Sequence, residues 1–124
     1  MNKWIKIGGI MGFLGVALGA FGAHGLKSAI SPDMMEVYKT GVLYHLIHSV
    51  VILGIGLSKI PKQEHWNQGL GKASIFFLAG IILFSFSLYL LAITSITAFG
   101  YITPFGGICF LIGWAMLIFV KLTN

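Results

Sequence analysis

Arginine is missing from this 124-residue chain, and its only acids are Asp33, Glu36 and Glu64. Without arginine there is no planar fork to clamp phosphates, and no basic stretch alternates with aromatics, so nucleic-acid binding has nothing to rest on. No acid falls inside a long apolar segment, which removes the paired carboxylates that general acid–base chemistry in the membrane would use. The one cysteine, Cys109, can build neither a disulfide framework nor a thiolate metal motif, and it reads as a small packing residue. No glycine-rich loop follows a strand pattern, so the many glycines are not a nucleotide signature.

What the chain has instead is apolar length. It is 57% hydrophobic and 9% charged, with a mean hydropathy of +0.95, whereas soluble domains carry about a quarter charged residues. The uncharged stretches are 7–26, 40–58 and 73–120. The last would reach roughly 72 Å as one helix, more than twice the hydrocarbon thickness of about 30 Å, so it crosses twice. Its break belongs in 94–104, where Thr94, Ser95, Thr97, Gly100, Thr103 and Pro104 cluster. A membrane β-barrel needs only about ten alternating residues per strand and would not produce such runs. The expected fold is all-α, one transmembrane domain over 1–124 with helices at about 4–23, 32–57, 73–93 and 104–121.

Lysine placement orients the bundle. Lys3, Lys6, Lys59, Lys62, Lys72 and Lys121 fall on one side of a four-crossing topology, and Lys27 and Lys39 on the other. The positive-inside rule then puts both termini in the cytoplasm. Lys3 and Lys6 before an apolar run, with small residues at 20–23, also resemble a signal peptide; a glycine stripe there argues for retention. Ser31-Pro32-Asp33 offers a cap, a first-turn proline and a first-turn acid for the second helix. The polar stretch SKIPKQEHWNQGLGK at 58–72 is the expected cytoplasmic loop, with Trp66 and Trp4 suited to headgroup level.

The stripe consists of Gly8, Gly12, Gly15, Gly19 and Gly22, spaced by four, three, four and three residues. At about 100° per residue they share an arc of roughly 80°. Glycine costs about 1 kcal/mol in an exposed helix, and close helix approach in lipid is the compensating gain. Gly106 and Gly113 make a shorter seam on the fourth helix. Pairing of the first helix with the fourth, or self-association of two copies, follows as an expectation.

The intramembrane polar groups are the candidates for chemistry. Tyr38, Gly41, His45, His48 and Ile52 share one face of the second helix, and Ser85, Tyr89 and Ala92 one face of the third. With His24 at the end of the first helix, His24, His45, His48, Ser85 and Tyr89 are expected to gather in the outer half. Neutral imidazoles there can fix helix register through interhelical hydrogen bonds. The alternative is a proton or solute route, the usual meaning of intramembrane ionisable groups. A metal held by His45 and His48 is a lesser alternative, since no carboxylate or thiolate accompanies them at ligand spacing. Ser49 follows His48 in sequence but does not face it on a helix, so no nucleophile–base pair is present. Neither a catalytic residue, nor a metal, nor a cofactor is expected.

Four segments carry a resemblance: FGAHGLK at 21–27, YKTGVLYHLIHS at 38–49, FSFSLYLLAIT at 84–94 and ITPFGGICFLIGW at 102–114. In order and spacing they resemble the small four-helix bacterial membrane family called domain of unknown function 423, related to the transmembrane protein 256 group. The resemblance implies a bacterial inner-membrane protein without an established activity. It draws attention to His24, Tyr44, His45, His48, Ser85, Ser87, Tyr89, Pro104, Gly106 and Gly107. Phe86 stands where that family usually has glycine, and its bulk works against close helix contact there. The expected role is a non-enzymatic bundle supporting membrane integrity or a membrane complex. Its expected partners are membrane lipids and a second copy or other membrane proteins, not nucleic acid.

Overall fold

The computed structural model describes residues 2–122. Among them, four helices are long and apolar enough to cross a membrane. These are α1 (Lys3–Gly25), α2 (Pro32–Leu57), α3 (Glu64–Thr94) and α4 (Thr103–Phe119). The cap of α2 forms as its residues dictate: Ser31 Oγ accepts from the Met34 amide at 3.2 Å, and Pro32 opens the first turn. At α1 the Asn2 side chain accepts from the Trp4 amide at 3.1 Å and donates to the Gly56 carbonyl.

α3 begins nine residues before the expected Ala73, at Glu64. Hydropathy marks where a helix enters lipid, not where it starts. Glu64 to Lys72 is polar yet helix-compatible, and it extends the helix beyond the apolar core. The link shrinks to 58–63 and is clamped from α3. Asn67 accepts from the Ile60 amide at 3.0 Å and donates to its carbonyl at 2.8 Å, and Trp66 Nε1 donates to the Ser58 carbonyl at 2.8 Å. Within α3 one π turn, Ile81–Ser85, separates the α-helical stretches Glu64–Gly80 and Phe86–Thr94. The break between the last two spans falls where expected: α3 ends at Thr94 and Ser95 takes a left-handed conformation. A 3₁₀ turn, Thr97–Tyr101, then leads into α4.

α1 lies antiparallel on α2, and α4 on α3, with α2 and α3 meeting between the two pairs. The pairing expected between the first and fourth helices is replaced by these two hairpins, because the glycine seams face their chain neighbours. A Cβ on Gly8 would stand 2.8 Å from the Leu53 nitrogen, one on Gly15 2.6 Å from Leu46 Cδ2, and one on Gly22 2.2 Å from Tyr38 Cε1. Gly106 sits against Phe84 and Gly113 against Phe77 in the same way. Gly8, Gly15 and Gly22 on α1, and Gly106 and Gly113 on α4, recur every seven residues, the repeat of helices that wrap at a shallow angle.

The five-glycine stripe is therefore narrower than its helical-wheel arc. A Cβ on Gly19 would meet only the edge of α2, 3.3 Å from Val42 Cγ1, and one on Gly12 would meet nothing within 4 Å. An apolar core of Trp4, Ile52, Phe77, Ile81 and Phe110 fills one half of the bundle, and Leu26, Tyr38, Tyr89 and Ala92 fill the other. Phe13, Val16, Val50, Leu111 and Phe119 are exposed on the outer faces, as lipid-facing residues should be.

Candidate functional site

The site grows from the one face of α2 that looks into the bundle. Gly41 lets α3 come close: a Cβ there would lie 2.8 Å from Tyr89 Cε1 and 3.1 Å from the Ser85 carbonyl oxygen. That approach puts the Tyr89 hydroxyl 2.8 Å from His45 Nδ1. On its other side His45 Nε2 lies 2.8 Å from the Met11 carbonyl of α1. A carbonyl only accepts, so Nε2 carries a proton, and in the neutral ring the Tyr89 hydroxyl donates to Nδ1. The ring ties three helices together.

A small residue four positions on uncovers a helix carbonyl to a side chain of the neighbouring helix. Met11 is followed by Gly15, and Leu18, whose carbonyl accepts from the Tyr38 hydroxyl, is followed by Gly22. One glycine of the seam thus opens each carbonyl, and Tyr38 and His45 donate to them one heptad apart. The glycine seam and the polar face are one device.

His48 is bound the opposite way round. Its Nδ1 lies 2.7 Å from the Tyr44 carbonyl, and Trp114 Nε1 of α4 donates to Nε2 at 3.1 Å. An indole only donates, so Nε2 is the bare nitrogen and Nδ1–H the donor. The ring also stacks on Phe110, with centroids 3.7 Å apart and planes 10° apart. Through His45 and His48, α2 is hydrogen-bonded to each of the other three helices.

Of the expected cluster, His45 and Tyr89 meet directly, and His48 is buried one turn away with a different partner. Ser85 is fully buried on the adjoining face, yet its hydroxyl has no hydrogen-bond partner among the described residues, and neither has that of Ser74. His24 does not join: it is exposed in the last turn of α1. His45 meets α1 at Met11, and thirteen residues farther along, at about 1.5 Å each, place His24 roughly 20 Å away. The expected common depth counted His45 from the start of its uncharged stretch at residue 40, whereas within α2, which begins at Pro32 as expected, His45 lies at the middle. Phe86 does not separate the helices. It turns its edge to His45 at 5.5 Å and flanks Tyr89 at 5.7 Å, while Gly41 provides the close approach.

Sequence reasoning missed Trp114, Phe110 and the two carbonyls. An indole N–H in the middle of an apolar helix needs an acceptor, and that was the available signal for Trp114. Ser49, beside His48 in sequence, donates to the His45 carbonyl at 2.7 Å and touches neither imidazole. Among the described residues, no three His, Cys, Asp or Glu side chains gather as a metal site. A cleft of about 420 Å³ between α2 and α4 reaches His48, Tyr44 and Trp114 from the lipid side.

Fold and site together define an integral membrane four-helix protein with a hydrogen-bonded interior. The chain belongs to the family described as protein of unknown function (DUF423), which matches residues 18–107. It is 41% identical over 121 residues to the UPF0382 membrane protein YwdK of Bacillus subtilis, covering 95% of this chain and 94% of that one. It is 40% identical to the UPF0382 membrane protein SAB0533 of Staphylococcus aureus, covering 95% and 93%. With the UPF0382 inner membrane protein YgdD of Escherichia coli K12 it shares 38% identity, covering 88% and 81%. No solved structure matches the chain.

Proposed function

We propose that this protein is a non-enzymatic membrane scaffold, with both termini in the cytoplasm, that supports bilayer integrity or a larger membrane assembly. One observation carries the reading: all four ring nitrogens of His45 and His48 are engaged by groups of this chain, and those bonds join the four helices. A transport or catalytic imidazole needs a nitrogen that can exchange partners with a solute or water. Ser49, the serine next to His48 in sequence, is turned to a carbonyl. The six lysines at the end holding both termini support the orientation. Self-association is part of the proposal: Gly9, Gly12 and Gly54 leave open surface where a second copy could approach.

The second reading, a small proton, ion or solute carrier working through His45 and His48, draws support from the cleft that reaches His48. Flux into liposomes separates the two. A scaffold gives the same proton and ion leak as empty vesicles, and His45→Ala leaves it unchanged. A leak that depends on protein and disappears with His45→Ala establishes the carrier.

A further inference from the structure

We propose that the cleft between the start of α3 and the end of α4 binds the headgroup of an anionic phospholipid. The cleft, of about 350 Å³, is lined by His65, Gly69, Met116, Phe119, Val120 and Lys121. Gly69 makes it possible, since a Cβ there would lie 2.8 Å from Val120 Cγ2. Lys72 is seven residues beyond His65, within about 20° on the helix and roughly 10 Å along it, so it stands on the same face of α3 as the cleft. The cleft sets Lys121 and the neighbouring Lys72 beside the apolar Met116, Phe119 and Val120, a phosphate site adjoining an acyl-chain site.

Its surroundings select the charge of the occupant. α1 begins, α2 ends, α3 begins and α4 ends at this end, as the Asn2–Gly56 and Gly69–Val120 contacts show. Lys3, Lys6, Lys59, Lys62, Lys72 and Lys121 therefore share this end with one acid, Glu64, whereas Lys27 and Lys39 at the other end are balanced by Asp33 and Glu36. The whole formal net charge of +5 therefore lies at the end of the bundle that holds the cleft. Lys39 is moreover paired with Glu36 at 3.8 Å. A basic cleft between helices at headgroup depth favours lipids with a net negative headgroup.

The test is native mass spectrometry of the full chain in detergent, titrated with phosphatidylglycerol or with phosphatidylcholine of the same acyl chains. The wild type retains phosphatidylglycerol preferentially. Each lysine near a lipid surface accounts for roughly a fivefold change in affinity, so K72Q/K121Q weakens phosphatidylglycerol binding roughly thirtyfold and leaves phosphatidylcholine unchanged. K27Q/K39Q, at the far end, leaves both unchanged. All four substitutions are at exposed positions, so the fold is retained. Equal binding of the two lipids by the wild type, an unaltered preference in K72Q/K121Q, or an equal loss in K27Q/K39Q overturns the proposal.

Discussion

His45 Nε2 donates to the Met11 carbonyl at 2.8 Å, a bond that exists because Gly15 leaves that carbonyl uncovered. Removing the imidazole strips a donor from α1 and an acceptor from the Tyr89 hydroxyl. At about 0.6–2 kcal/mol per interhelical bond, His45→Ala should destabilise the bundle by about 1–4 kcal/mol, before counting the cavity. Unfolding in mixed detergent micelles measures this. His45→Gln, which can keep one of the two bonds, should fall between wild type and alanine.

Two kinds of glycine position on α1, packed and open, predict opposite outcomes. Gly22→Leu drives a side chain into the Tyr38 ring and removes the Tyr38 bond to the Leu18 carbonyl, and Gly15→Leu collides with Leu46. Each should cost about 1–3 kcal/mol or more. Gly12→Leu meets open space and should leave stability in detergent unchanged or slightly raised. The midpoint of thermal unfolding for the three variants gives the comparison.

This contrast marks what could be read from the residues alone. Apolar run length fixes the four spans, Ser31-Pro32-Asp33 fixes the start of α2, and three-and-four spacing places Tyr38, His45 and His48 on the buried face. Main-chain partners have no residue type to announce them, so the Met11 and Leu18 carbonyls stayed invisible. Depth was misjudged for His24 because apolar length says where a helix crosses but not how far its ends project, and the same blindness hid the polar first turns of α3.

Gly41→Leu addresses the α2–α3 approach. Its side chain would occupy the place of the Tyr89 ring, 2.8 Å from a Cβ, and Tyr89 would lose His45. Tyr89→Phe removes the hydroxyl alone and should cost about 0.6–2 kcal/mol, measured by the same unfolding assay. Because His45 and Tyr89 are bonded, the His45→Ala and Tyr89→Phe losses should not add, and a double-mutant cycle should return a coupling of about 0.5 kcal/mol or more.

Trp114→Phe keeps the ring against Phe77, at 5.2 Å in the wild type, and deletes only the indole donor to His48. The expected loss is about 0.6–2 kcal/mol. Indole fluorescence offers a second readout: His48→Leu removes the hydrogen bond from Trp114 Nε1 and should shift its emission to shorter wavelength, while Trp4, under the Lys3 ammonium, and Trp66, bonded to the Ser58 carbonyl, are unaffected.

The claim on which the rest depends is that both buried imidazoles are neutral ties locked in opposite tautomers. ¹⁵N solid-state NMR of histidine-labelled protein in bilayers at neutral pH tests it directly. The expected spectrum has His45 protonated at Nε2 and bare at Nδ1, and His48 protonated at Nδ1 and bare at Nε2, with the His48 pattern lost in Trp114→Phe. Two imidazolium rings, or two rings exchanging between tautomers, would contradict it and favour a carrier.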